Sequence, residues 1–270
     1  MKILIVDRDP LAVQMLRSRL EPLGHQVSEE SAKNNAVARL MSEPFDIILL
    51  DPSPLTSPRP VVLNIRRSVK SYPYIFLLTD SMNEAEAVKA GVNDVLTKPL
   101  DPEKLKIKIG NAERFLALIH KLGDDSEDFP SAGGIIAKSA INQLFLSAID
   151  RADRYGERSY ILQISLSNYI QIRDIDGPYV ADLFVAKLCQ YLVLLRRQSD
   201  IIGQTGKNEY TLLLQRPIYD TEPLEAANRF AESLGKFKDF VPSHETSLEL
   251  TVALIAVPPG ELMAKHVIHL

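Results

Sequence analysis

Short, nearly unbroken apolar runs recur through the first half of the chain, at 3–6 (Ile3-Leu4-Ile5-Val6), 46–50, 74–78 and 94–97, with a weaker one near 26–28. Runs of this length without polar alternation suit strands buried on both faces, as in a parallel sheet. Helical patterns fall between them, at 11–23, 32–41, 60–70, 83–90 and 102–122. The first has Asp9 as N-cap, Pro10 in its opening turn and Gly24 as its stop. Gly91 closes the fourth, and the fifth lines up Leu105, Ile109, Ala112, Leu116 and Ile119 on one face. Five strands alternating with five helices predict an α/β domain with a doubly wound parallel sheet. In such a sheet the active crevice lies at the carboxyl ends of the strands.

The pattern changes after residue 122. The acidic, polar stretch 123–134 contains Pro130 and reads as a linker, which divides the chain into domains at 1–122 and 135–270. The second domain predicts helices at 140–154, 178–197 and 223–237, strands at 160–165 and 248–257, and a hairpin of 200–204 with 209–215. A net charge of -4 and isolated Arg66-Arg67 and Arg196-Arg197 pairs give no basic stripe, so no nucleic-acid partner is expected. The single cysteine, Cys189, fits a reducing compartment and a buried, inert thiol. No run approaches the roughly 18 uninterrupted apolar residues of a membrane span, which predicts a cytoplasmic protein without membrane contact. His25, His120, His244, His266 and His269 have no metal-ligand spacing and read as surface or loop residues.

Asp7 and Asp9 follow the first predicted strand, Asp51 the third, Thr79 the fourth and Lys98-Pro99 the fifth. Phosphoryl transfer requires this mixture. One carboxylate acts as nucleophile, others hold a divalent cation, and a hydroxyl and an ammonium receive the phosphoryl oxygens.

Residues 1–122 resemble the receiver domain of two-component response regulators. The resemblance rests on Ile3-Leu4-Ile5-Val6-Asp7-Arg8-Asp9-Pro10, Phe45-Asp46-Ile47-Ile48-Leu49-Leu50-Asp51, Leu77-Leu78-Thr79 and Ala90-Gly91-Val92-Asn93-Asp94-Val95-Leu96-Thr97-Lys98-Pro99. It implies that Asp51 accepts phosphate from a histidine kinase or other phosphodonor. Thr79 and Lys98 would then sense the phosphoryl oxygens, with magnesium held by Asp7, Asp51 and Asp9. Three positions depart from the family. Arg8 replaces its second metal-binding acid, Asp80 follows Thr79 where a small residue is usual, and Val95 occupies the aromatic switch position. A guanidinium ~4 Å from a carboxylate contributes about 4 kcal/mol at an effective dielectric near 20, so Arg8 could neutralise Asp51 in place of the metal. Two readings follow: a receiver phosphorylated at Asp51, or a pseudo-receiver that works without phosphate.

The second half resembles a GGDEF domain, the diguanylate cyclase fold, with an α+β architecture and a mixed or antiparallel sheet. Gly206-Lys207-Asn208-Glu209-Tyr210 occupies the signature, and Ile161-Leu162-Gln163-Ile164-Ser165 the strand that normally ends in a metal-binding Asp. That Asp is Ser165 here, the third signature position is Asn208, the second glycine is Lys207, and the guanine-binding Asn falls on Arg173. Asp182 alone matches the guanine-contacting residues. Without Asp at 165 and an acid at 208, the two-cation cyclisation site lacks ligand charge, which predicts a non-enzymatic domain. Arg197 and Asp200 have the spacing of the RxxD site that binds cyclic di-GMP in active members. The resulting expectation is a response regulator whose output domain acts through a downstream protein partner, with the receiver controlling a homodimer. The alternatives are a cyclic di-GMP or GTP sensor and, third, an active cyclase.

Overall fold

The computed structural model describes residues 1–270 apart from 56, 70, 81–83, 130, 132, 198–199 and 242–245. The predicted helix end at Lys70 and start at Asn83, together with Gln198, Ser199 and His244, lie outside the described residues. The chain forms two compact units, one of Met1–Leu116 with Asp150–Glu157 and one of Ala117–Ile149 with Arg158–Leu270.

The first unit alternates β1 (Lys2–Val6), α1 (Pro10–Leu20), β2 (Gln26–Glu30), α2 (Lys33–Ser42), β3 (Ile47–Leu50), α3 (Arg59–Ser68), β4 (Tyr74–Thr79), α4 (Glu84–Lys89), β5 (Asp94–Thr97) and α5 (Pro102–Gly123), whose residues from Ala117 onward belong to the second unit. Its five strands run parallel in the order β2-β1-β3-β4-β5. β1, β3 and β4 lie inside the sheet and are almost wholly buried, which explains their unbroken apolar runs. β2 is an edge strand with exposed positions, and its sequence signal is correspondingly weak. Asp9 caps α1 by accepting from the Leu11 N–H, and Gly24 takes the left-handed conformation that ends the following turn.

Arg66 organises the amino-terminal rim of this sheet. Its guanidinium donates to Asn93 Oδ1 (2.7 Å), stacks over Tyr72 (4.0 Å to the ring centre) and lies 3.7 Å from Asp153. Burial pushes the Asp153 carboxyl up to about 6, against the pull of Arg66. His25 is buried, contrary to the surface position expected, and burial lowers its pKa.

The second unit contains most of α6 (Lys138–Tyr155), then β6 (Ser159–Leu166), α7 (Tyr169–Ile175), α8 (Pro178–Leu195), β7 (Ile201–Gly206), β8 (Glu209–Gln215), α9 (Glu222–Leu234), β9 (Glu249–Val257) and β10 (Leu262–His269). The strands form an antiparallel sheet in the order β10-β9-β6-β8-β7. β10 was not anticipated. It is an edge strand whose side chains alternate between exposed and half-buried, so it lacks a strong apolar run.

Among the described residues, α8 is the one helix long and apolar enough to cross a membrane. Asp182 and Lys187 interrupt its apolar run, which hid this property in the sequence. Its buried face, with Phe184, Leu188 and Leu192, joins one core with Leu162, Ile164 and Val252 of the sheet. Cys189 is half-buried beside this core, and burial raises its thiol pKa.

Candidate functional site

The chain emerges from β1, β3, β4 and β5 on the same carboxyl rim, because the four strands are parallel and in register. Asp7 and Asp51 therefore follow adjacent strands. Lys98 Nζ donates to Asp7 Oδ2 at 2.9 Å and also to Asp51 Oδ2. The Lys98 N–H donates to the Thr79 carbonyl (2.9 Å), which fixes Thr79 at this rim. The structure thus unites Asp7, Asp51 and Lys98 directly, with Thr79 adjoining through the backbone.

The free oxygens of both acids are engaged as well. Asp7 Oδ1 accepts from the Asp9 N–H (2.9 Å) and Asp51 Oδ1 from the Ser53 N–H (2.7 Å). Burial alone would raise the Asp51 carboxyl, but hydrogen bonds from Lys98 and Ser53 outweigh it and hold the group below its ordinary value. Burial disfavours the charged Lys98 ammonium, yet its bonds to Asp51 and Asp7 carry its pKa upward. Asp9, the expected third metal ligand, is exposed and turned to cap α1 through Leu11 (2.9 Å).

Lys33, at the start of α2, was missed in the sequence. It donates to the Ser53 carbonyl, and its pKa is lowered by burial and by Arg8, against the attraction of Asp51 and Asp7. Nothing local marks this residue; only the fold brings α2 to the loop after Asp51. A cavity of about 570 Å³ opens beside Asp7 and Arg8, walled also by Pro10, Val13, Arg17 and Glu30.

Magnesium, which the resemblance implies, fits this donor set poorly. Asp7 and Asp51 both have their oxygens occupied by protein donors, and Asp9 is committed to the helix cap. Among the described residues, no three His, Cys, Asp or Glu side chains are grouped to hold a metal.

In the second unit the signature forms the turn between β7 and β8. Asn208 Nδ2 donates to the Leu166 carbonyl (2.7 Å), tying the turn to the end of β6. Lys207 Nζ lies 3.3 Å from Asp182 Oδ1 and 5.1 Å from the Tyr169 ring centre. The Tyr169 hydroxyl donates to the same Asp182 oxygen (2.6 Å), and this bond is the main cause that lowers the Asp182 pKa. Arg173 turns away onto Asp174 (3.0 Å). Ser165 pairs in register with Glu209, whose carboxylate accepts from Thr205 (2.8 Å) and pairs with Lys121 (2.6 Å). Glu209 is thus the one signature acid left, and protein groups occupy it.

Arg197 and Asp200 line a cavity of about 160 Å³ with Tyr219, Glu222, Glu225 and Arg229. Asp200 accepts from the Arg197 N–H (2.8 Å) and pairs with Arg229 (3.4 Å). Arg229 was missed because it comes from α9, distant in sequence from the RxxD stretch.

A five-stranded parallel sheet with acid, hydroxyl and amine groups at one rim defines a receiver domain, and residues 3–110 match the response regulator receiver domain family. Residues 131–268 match the family described as diguanylate cyclase, GGDEF domain. The chain belongs to the GGDEF family and carries a receiver domain ahead of that module. Transcriptional regulatory protein ResD of Bacillus subtilis is 30% identical over 111 residues, 40% of this chain and 46% of ResD. Transcriptional regulatory protein KdpE of Mycobacterium tuberculosis is 29% identical over 114 residues, 42% of this chain and 50% of KdpE. The chain thus spans about half the length of these curated relatives. The solved structure of chemotaxis protein CheY4 of Vibrio cholerae has 26% identity and a TM-score of 0.38, covering 41% of this chain and 97% of that one.

Proposed function

We propose that the protein is a cytoplasmic response regulator that accepts a phosphoryl group on Asp51 from a histidine kinase or phosphotransfer protein, and that its GGDEF domain signals through protein contacts without making cyclic di-GMP. The observation that carries the first part is the Lys98 ammonium joined to both Asp7 and Asp51 at the carboxyl rim. A held ammonium beside a depressed carboxylate supplies a nucleophile and a receptor for the incoming oxygens. Phosphorylation adds roughly -1.5 to -2 charges there, enough to rearrange groups bound to Lys98.

The second part rests on Ser165 and Asn208, which remove two carboxylates from the cation site, and on Lys207, whose pairing with Asp182 occupies the guanine-contacting acid. Ile170, Ile175 and Tyr179, exposed on α7 and the first turn of α8, offer apolar surface to a protein partner. Packing of α8 into the core of its own unit supports a protein that stays out of the membrane.

A second reading, a cyclic di-GMP sensor, is favoured by Arg197, Asp200 and Arg229 lining one cavity. Its volume of about 160 Å³ falls below the ~300 Å³ of small-molecule pockets, so protein contact is preferred.

Incubation of the full chain with acetyl phosphate and magnesium, followed by intact-mass measurement, tests the first part. One phosphoryl mass is expected on the parent and none on Asp51→Asn. An unlabelled parent removes the reading and leaves a phosphate-independent pseudo-receiver. Incubation with GTP and magnesium tests the second part, with no cyclic di-GMP expected by chromatography; product formation would establish an active cyclase instead.

A further inference from the structure

The geometry points to a phosphoryl site neutralised by the protein's own cations, Arg8, Lys33 and Lys98, which accepts a phosphoryl group at Asp51 without a divalent metal. This deepens the phospho-acceptor reading above and rests on it. Three bases, Arg8, Lys33 and Lys98, lie around the two rim acids Asp7 and Asp51, while Asp9 is turned to cap α1, so the set has no excess negative charge before any ion arrives. A divalent cation would enter a site without the acidic charge that attracts it. It would also have to compete with the donors that already hold both oxygens of Asp7 and both of Asp51. Magnesium demands short, near-octahedral oxygen contacts, and displaced ammonium and N–H donors would lose their bonds.

Lys33 is the residue that completes the set. Its ammonium donates to the carbonyl of Ser53, and the N–H of the same residue donates to Asp51 Oδ1 at 2.7 Å. The lysine therefore orders the loop that aims the Asp51 carboxylate and adds charge beside it. Arg8 takes the position from which the family's second acid reaches the metal, and its guanidinium fork suits two phosphoryl oxygens.

In the transfer, an Asp51 oxygen attacks the phosphorus of an acyl phosphate. The new O–P bond forms as the bond from phosphorus to the acyl oxygen breaks, and the donor leaves as a carboxylate with the electron pair. No proton moves. The three cations hold the phosphoryl oxygens while negative charge passes from the Asp51 carboxylate to the departing carboxylate.

The test labels the full chain with acetyl phosphate in two arms, excess chelator and excess magnesium, and reads intact mass over time. Parent rates within about twofold of each other in the two arms are expected, because no step depends on the metal. Arg8→Asp, which restores an acid pair, should make labelling magnesium-dependent, with at least ~10-fold loss in chelator. Lys33→Gln should slow labelling in chelator by about tenfold, and Lys33→Arg, which keeps the charge, should recover part of that loss, which separates charge from folding. Parent labelling confined to magnesium overturns the inference and leaves Asp51 as acceptor. No labelling in either arm overturns both. Labelling in chelator that Lys33→Gln leaves unchanged overturns the assignment of Lys33.

Discussion

Replacing Lys98 with Ala leaves two carboxylates facing each other across adjacent strand ends, one of them almost sealed from solvent. The Asp7 side chain is only 2% exposed, that of Asp51 13%, and that of Lys98 21%. Removing one partner from a buried ion pair costs about 3–5 kcal/mol, because the remaining charge is left unsatisfied. The lysine's partial exposure places Lys98→Ala at the low end, about 3 kcal/mol. That corresponds to ~150-fold faster opening of the surrounding strands, at 1.36 kcal/mol per decade. Hydrogen exchange of peptides covering β1, β3 and β5 in the full chain, read by mass spectrometry at neutral pH, measures it directly. Asp51→Asn in the same background should recover at least ~1 kcal/mol, since it removes one of the two opposed charges. The penalty should also shrink in acid. The Asp51 carboxyl is held below its ordinary value in the fold, so its stabilisation is present above the unfolded carboxylate range near pH 4 and lost as pH falls through the folded value. Lys98→Ala with an exchange increase under about twofold, additive with Asp51→Asn, would refute the argument that this ammonium neutralises two buried acids.

The Asp153 carboxyl is raised in the fold from 3.8 to about 6, so its ionised form is penalised there and the fold gains stability as pH drops below about 6 toward 3.8. The difference in urea stability between pH 8 and pH 5 should include about 1.4 kcal/mol, at 1.36 kcal/mol per pH unit below 6, that Asp153→Asn abolishes. A methyl added at Gly203 would sit 2.0 Å from Ile141 Cγ1, so Gly203→Ala should destabilise the second unit by about 2–3 kcal/mol in urea titration. Asn208→Ala removes the bond to the Leu166 carbonyl and should cost about 1 kcal/mol, seen as faster exchange of the β7–β8 turn.

The strands of the first sheet were legible because burial on both faces leaves no room for polar alternation, and the capping by Asp9 and the stop at Gly24 are decided within a few residues. The rim residues Asp7, Asp51, Thr79 and Lys98 were legible for a related reason: each follows a recognisable strand, and parallel strands put their carboxyl ends together. β10 and the spanning-like character of α8 were not. An edge strand shows only a faint alternation, and two charges suffice to break an apolar run that the helix still buries on one face.

Sequence alone determined which groups the rim would contain, because strand boundaries are local. Tertiary structure alone decided what those groups do to one another. Lys98 reaches acids 91 and 47 residues away, Lys33 reaches a loop 20 residues on, and Arg229 meets Asp200 across 29 residues. Coulombic interaction depends on separation in space, and only the packed sheet and its helices set those separations.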